Sequence, residues 1–411
     1  MNRNVIAGVG VAASILVVVL LLKLVRVPVV GNATGTAAAG QTPWGEPDLQ
    51  GIWTATTNEP LQRPARYKDR ALLSDEERAE LNKKIADIVG RESDENRRPR
   101  GTEQDVAGAY STAIFTSHLP VGRRTSMIVD PPDGRIPPLT QQEQKRRGEM
   151  RDYAFALLQA TDACRNQAST CVNVKYGPPS PRRSEPPPYY VMDGITGFSG
   201  GGAINRADGP EDRNLSERCL PSGLPSFGGY RRIVQSRGQV AVSYDVGQGQ
   251  AWQRIIPITT APHLSDSIRQ WWGDSRSRWE GHTLVVDVTN FSPKSSYQGA
   301  HEHLHLVERW TRIDAETLQY SATIEDPTVW TRPWTAVVDF KKQDEKANRI
   351  YAEPRCHEGN YGMVAMLTGV RADERAFAAG TGPHPATKCL SGCGGFGGGF
   401  AEEGEDTNPI R

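Results

Sequence analysis

The chain has 411 residues, with 48 Lys and Arg against 48 Asp and Glu, so it carries no net charge that would favour nucleic acid or an acidic partner. Hydrophobic residues make up 37% of the chain, and 41 glycines and 29 prolines are spread through it. That composition excludes a simple helical bundle and points to short elements joined by irregular segments.

The first element in chain order is apolar. Residues 5–22, VIAGVGVAASILVVVLLL, hold no charge, and with Leu24 and Val25 they are long enough to cross a bilayer as a helix. A cleaved signal peptide is the alternative. The run exceeds a usual signal core, Lys23 and Arg26 follow it directly, and the small-residue run Ala37-Ala38-Ala39 lies far downstream. We therefore expect residues 1–26 to be a retained transmembrane anchor in the lipid bilayer. Residues 27–43 form its linker. Charge flanking the run does not set its orientation.

Residues 44–229 are expected to be a helix- and loop-rich region packed on a barrel. Ser74 and Glu77 have capping-box spacing, and Leu81, Ile85 and Val89 form a stripe, which predicts a helix over 75–89. TSMIVD, 125–130, reads as a strand that ends in the turn sequence PPDG. Thr140 and Glu143 repeat the capping-box spacing and predict a second helix over roughly 141–160. GPPSPRRSEPPP, 177–188, should be extended polyproline II, and the glycine-rich stretch to 205 should continue as an irregular arm. Tyr189, Tyr190 and Phe198 are its candidate partner-contact anchors.

From about residue 230 the pattern alternates with period two. RRIVQS, QVAVSYDV, AWQRIIPI, HTLVVDVTNF, HLHLVERWTRI, TLQYSATIED, WTAVVDFKKQ and NRIYAEPR are eight strand-like runs separated by turn residues. The expected class is mainly β (α+β): an antiparallel up-and-down β-barrel or sandwich over 230–371, with the N-terminal transmembrane helix, two short helices and long irregular arms. Residues 372–411, Gly-rich and then acidic, read as a tail.

Six cysteines, an even number, suit an oxidising compartment. Cys164 with Cys171 and Cys389 with Cys393 can close small loops, which leaves Cys219 with Cys356 as a long-range bridge. A zinc site on His384, Cys389 and Cys393 lacks CxxC spacing, and no CxxCH for haem occurs.

The densest chemistry is QGAHEHLHLVERW, 298–310. In a strand, His301, His303 and His305 would share one face and could bind zinc with a ligand from Glu325, Asp326 or His357. An HxH pattern is a weak signal, and the better explanation is that His301 and His303 are polar residues at a strand's edge while His305 hydrogen-bonds in or beside the core. Glu308, Glu325 and Asp326 could form an acid/base pair, or could simply pair with Arg309, Arg312 or Arg332. Trp271, Trp272, Trp279, Trp310, Trp330 and Trp334 could line a pocket or fill a core. No P-loop occurs, and GFSGGGA, although it contains the letters GxSxG at 197–201, lacks the flanking strand and helix that a nucleophile elbow or a phosphate loop needs.

Several blocks recur together: TPWGEPDLQGIW, RRTSMIVDPPDGRIPPLT, LSERC, IRQWWGDSRSRWEGHTLVVDVTNF, HLVERWTRIDAETL, IEDPTVWTRPW and CHEGNYG. In this order, over residues 42–371, they resemble a large family of secreted proteins of environmental bacteria. The resemblance implies an exported, β-rich protein, and it brings no activity, substrate or cofactor. The family's histidine block resembles ENLHLVER, so Glu302, His305 and Glu308 match it, while His301 and His303 depart from it.

Two functions are compatible with these features. The first is a non-catalytic subunit of the bacterial inner membrane, single-pass, with its body in the periplasm. It would dock on and stabilise an integral membrane protein complex of respiratory or photosynthetic type through the anchor and the arms near 177–205 and 380–411. No cofactor is expected. The alternative is an exported metal-assisted hydrolase or small-ligand-binding barrel, with a site at the barrel mouth made by His305, Glu308, Glu325 and His357, and zinc as its metal.

Overall fold

A computed structural model describes residues 40–95, 119–166, 171, 174–191, 204–215, 217–220, 223–245, 251–347, 357 and 361–390. The expected anchor, Phe198, the run 348–355 and the tail beyond Leu390 lie outside these residues. Among the described residues no helix is long and apolar enough to cross a membrane.

The body is mainly β. Nine strands form a nearly closed antiparallel barrel: β1 (Gly51–Ala55), β3 (Tyr230–Ser236), β4 (Gln239–Asp245), β5 (Ala251–Pro257), β6 (Asp274–Glu280), β7 (Thr283–Thr289), β8 (His305–Arg312), β9 (Thr317–Glu325) and β10 (Trp334–Lys342). Their order is β5-β4-β3-β1-β10-β9-β8-β7-β6. The short β2 (Ile128–Asp130) pairs with β10 beyond the end of β1. β1 takes the Lys342 end of that edge, and β2 takes the Thr335 end.

The strand count dictates how the barrel closes. Nine alternating strands cannot be antiparallel at every junction, because the first and last then run the same way. The odd junction falls between β5 and β6. There Ile258 and Ser277 form a parallel bridge, the Thr259 N–H donates to the Ser277 carbonyl at 2.9 Å, and Ser277 Oγ donates to the Pro257 carbonyl at 2.8 Å.

Seven of the eight predicted runs supply barrel strands. β1 and β6 were not among them, and β6 shows why. DSRSRWE places Ser275 and Ser277 on the buried face, so no apolar alternation marks it. On the other strands, alternate residues enter one core: Ile233; Val240 and Val242; Leu284, Val286 and Val288; Leu306 and Trp310; Leu318, Tyr320, Ala322 and Ile324; Trp334, Ala336, Val338 and Phe340. This period-two burial is what one buried sheet face requires.

Three described α-helices exceed one turn. Helix α1 (Asp75–Glu95) begins with the full reciprocal capping box: Glu77 N–H donates to Ser74 Oγ at 3.2 Å, and Ser74 N–H donates to Glu77 Oε2 at 2.9 Å. Helix α2 (Gln141–Leu158) forms half of one. Thr140 Oγ1 accepts from Glu143 N–H at 3.2 Å, but the Glu143 carboxylate turns instead to Arg146 and Arg147. Those arginines tie α2 to the barrel: Arg146 donates to the Gly299 carbonyl and Arg147 to the Gln298 carbonyl, both at 2.7 Å. A one-turn α3 (Asp162–Arg165) follows.

Helix α4 (Tyr361–Ala378) corrects the expected boundary between barrel and tail at 371–372, which falls inside it. Met363, Leu367 and Val370 are spaced as one helical face, and Met363 and Val370 are buried. The PPDG turn forms as expected. Gly134 N–H donates to the Pro131 carbonyl at 3.0 Å, and Gly134 has φ +71°. A Cβ there would lie 2.4 Å from Ser126 Oγ, so glycine is required.

Candidate functional site

The histidine segment does not build one site. Strand β8 begins at His305, so strand alternation does not reach His301 and His303. His301 belongs to the turn before it, where its Nε2 faces Arg146 Nη1 at 2.7 Å. Burial, reinforced by the Arg146 charge, holds the His301 imidazole below its ordinary pKa, so the neutral ring can accept that N–H. His303 Nε2 lies 3.5 Å from Glu302. Among the described residues, no group of three His, Cys, Asp or Glu is placed to hold a metal ion.

His305 instead joins an acid/base chain on the outside of the barrel. Its Nε2 lies 3.2 Å from Asp287 Oδ1 on β7, and its Nδ1 lies 3.7 Å from Glu325 on β9, its cross-strand neighbour. His263, from the segment linking β5 to β6, places Nε2 3.2 Å from the same Asp287 oxygen and Nδ1 2.9 Å from Asp274. Two imidazoles, from β8 and from the β5–β6 segment, thus meet on one β7 carboxylate. The Asp287 contact raises the His305 pKa above its ordinary value, and the His305 contact lowers that of Asp287.

Glu308 lies three residues beyond His305, on the opposite face of β8. It is fully buried inside the barrel. The structure therefore separates His305 and Glu325 from Glu308, and the four residues named for a barrel-mouth site do not converge. His357 is exposed. Asp326 caps the following turn by accepting from the Thr328 N–H and hydroxyl at 2.9 and 2.6 Å. The expected arginine partners act elsewhere: Arg309 pairs with Glu280, Arg312 with Asp48 and Arg332 with Asp130.

Inside the barrel sits a polar cluster that the sequence reading did not assemble. Arg254 Nη1 lies 2.6 Å from Glu308 Oε2, and the Tyr320 hydroxyl donates to Glu308 Oε1 at 2.8 Å. Arg254 also donates twice to Ser275 Oγ, from Nε at 3.0 Å and from Nη2 at 2.8 Å. Arg231, fully buried, donates from Nη1 and Nη2 to the carbonyls of Ser226 and Gly228 at 3.2 and 2.7 Å. Its guanidinium lies 3.5 Å from the Phe340 ring centre, and between 5.7 and 5.9 Å from those of Trp310, Tyr244 and Tyr320. Burial pulls the Arg231 pKa down to about 10, which leaves it charged at neutral pH. Burial pushes the phenols of Tyr244 and Tyr320 up, which keeps them protonated. The signal was present at Arg231 and Arg254, each at an inward position of its strand, but inward charge is masked in runs read for apolar alternation.

The predicted arm at 177–191 packs on its own chain. Pro181–Ser184 turns as a 3-10 helix capped by Ser180, which interrupts the expected polyproline II. Tyr153 of α2 donates to the Glu185 carbonyl at 2.9 Å, and the Tyr189 hydroxyl donates to Glu149 at 2.6 Å. Tyr190 accepts from Arg218, and both tyrosines pack against the cluster of Met150, Tyr153, Ala154, Leu157, Val191 and Ile204. The segment up to Leu390 is tied in too, because the Leu390 N–H donates to Asn205 Oδ1 at 2.8 Å.

Cys164 and Cys171 form a disulfide, as their spacing suggested. Cys219 and Cys389 are each in a disulfide as well. Cys356 and Cys393 lie outside the described residues, as do the expected Cys219–Cys356 and Cys389–Cys393 pairings. The zinc alternative on His384, Cys389 and Cys393 is not supported at Cys389, since a disulfide sulfur offers no thiolate.

No family model matches the chain, and no curated protein matches it.

Proposed function

We propose that the protein is a non-catalytic, membrane-tethered extracytoplasmic subunit that docks on an integral membrane protein complex. The observation that carries this reading is the first half of α4. Tyr361 is 94% exposed and Val364 53% exposed, and Phe377 near the other end is 45% exposed. The opening run YGMVAMLTGV holds no charge. A soluble surface rarely leaves contiguous large apolar side chains in water, and where it does they mark contact sites.

The sequence supplies the address. The charge-free run 5–22 suits a bilayer span, and the 27–43 linker can extend no further than roughly 60 Å. A body on that tether stays beside the membrane, within reach of the extracytoplasmic face of a membrane protein. The occupied state of Tyr189 and Tyr190 moves the docking face from the proline-rich arm to α4.

The test is gentle detergent purification of the full chain from its native membrane. A defined membrane protein complex should accompany it, and Val364→Asp should abolish that association without changing the melting temperature. A free monomer from intact membranes, or an association indifferent to Val364→Asp and Tyr361→Ser, would overturn the reading. His305→Ala separates it from the enzyme alternative, because docking should not respond to that change.

A further inference from the structure

The barrel interior carries a charge imbalance. Three ionised groups meet there, Arg231, Arg254 and Glu308, and the single carboxylate is held by Arg254 at 2.6 Å. Arg231 forms no ion pair among the described residues. Its two terminal nitrogens reach backbone carbonyls, which carry no full charge. An uncompensated buried cation is costly, and proteins normally pair it.

A second, independent observation lies in the same place. Arg231 Nε and Trp310 Nε1 are buried and have no hydrogen-bond partner among the described residues, and the Tyr244 hydroxyl, which interacts with Arg254, has no well-aligned one. Trp310 and Tyr244 are two of the rings that surround the Arg231 guanidinium. The N–H groups of Arg and Trp can only donate, and a neutral phenol can donate as well. A buried donor left unmade is costly, and such groups in a native interior call for an ion or water that completes them.

We propose that the barrel interior binds a small monovalent anion, a halide or a small carboxylate, to which Arg231 Nε, Trp310 Nε1 and the Tyr244 hydroxyl donate. Both observations point to one ligand chemistry. One excess positive charge calls for one negative charge, and donors without an acceptor call for a species that only accepts. A divalent anion would reverse the imbalance instead of removing it. A water molecule would satisfy some donors but would leave the charge. The inference is independent of docking, since an anion that completes the core serves a docking subunit as well as any other barrel protein.

The experiment uses the purified full chain. Its melting temperature is followed against sodium bromide and, in a second arm, sodium formate, with sodium sulfate holding ionic strength constant. A saturable rise is expected in at least one arm, which also separates halide from carboxylate. Trp310→Phe keeps an aromatic ring and deletes the N–H, so the midpoint of that rise should weaken by about tenfold, the loss of one hydrogen bond to a charged group. Crystals soaked in whichever anion raises the melting temperature should show it, as an anomalous peak in the case of bromide, within hydrogen-bond distance of Arg231 Nε and Trp310 Nε1. Should Trp310→Phe not fold, that map decides alone. No rise in either arm, water or empty density at that position in the soaked crystal, or a midpoint identical in Trp310→Phe, would overturn the proposal.

Discussion

Arg254 and Glu308 form an ion pair across the barrel interior, their side chains 4% and 0% exposed. The two residues lie on strands that are not neighbours in the sheet, so the pair spans the core instead of decorating one edge. Removing one partner leaves the other charge buried. Arg254→Met should therefore destabilise the fold by about 3–5 kcal/mol. Tyr320→Phe deletes one hydrogen bond to the same carboxylate and should cost about 1.5–3 kcal/mol. Urea unfolding of the three proteins checks the order. Equal losses would mean that the pair and the phenol contribute alike.

The exterior chain at His305 predicts a dependence on pH. Asp287 holds the His305 pKa above its ordinary 6.5. A group raised in the folded state stabilises most below its unfolded pKa, and that stability is lost as pH rises through the folded value. The stability difference between the wild type and Asp287→Asn should therefore be largest below pH 6.5 and shrink as the pH rises through the raised His305 value. NMR titration of the His305 ring should give a pKa above 6.5 that falls in Asp287→Asn. His301 moves the other way. Its burial beside Arg146 should give a titration midpoint below 6.5.

The disulfide between Cys164 and Cys171 closes a short loop at the end of α2, where Leu158 packs on both sulfurs' residues. Replacing both cysteines with Ala should lower stability by about 2–3 kcal/mol through the freed unfolded chain. Chemical denaturation reads this directly. A loss well below that range would show that the loop is already restrained in the unfolded state.

Helix α4 presents two kinds of apolar residue. Val370 is 7% exposed and Val364 is 53% exposed. Val370→Asp should cost several kcal/mol in stability, whereas Val364→Asp should stay within about 0.5 kcal/mol of the wild type. Thermal melts of the isolated protein distinguish them. A large loss at Val364 would mean that this face is covered by the chain itself.

How much of this was legible depends on which signal each residue carries. The capping box at Ser74 and Glu77 is local, and it forms with both bonds as written. Thr140 and Glu143 have the same spacing, yet the Glu143 side chain is claimed by Arg146 and Arg147, a competition that spacing does not reveal. Alternation exposed the strands with apolar inner faces, and failed at β6, where Ser275 and Ser277 face inward. The histidines misled for a related reason. Their shared face required a strand that starts only at His305. The interior cluster needed the barrel's curvature to bring Arg254 of β5 to Glu308 of β8, which no local pattern records.

The odd strand number has a consequence for how copies of this chain meet one another. A closed antiparallel barrel has no free edges, but the β5–β6 junction leaves two partly unpaired backbones side by side. Exposed edges of that kind recruit strands from other molecules. The segment from Ile258 to Gly273 links the two strands of this junction. It is pinned by Thr259 to Ser277, by His263 to Asp274, and by Gln270 N–H to the Asn290 carbonyl at 2.9 Å. Asn290 fastens it further, donating to the carbonyls of Leu264, Ser265 and Ile268. At its end, Gly273 has φ +66°, and a Cβ there would lie 2.4 Å from the Thr289 carbonyl oxygen. The segment is thus fastened along β6 and the end of β7, and through His263 it shares with His305 the Asp287 carboxylate.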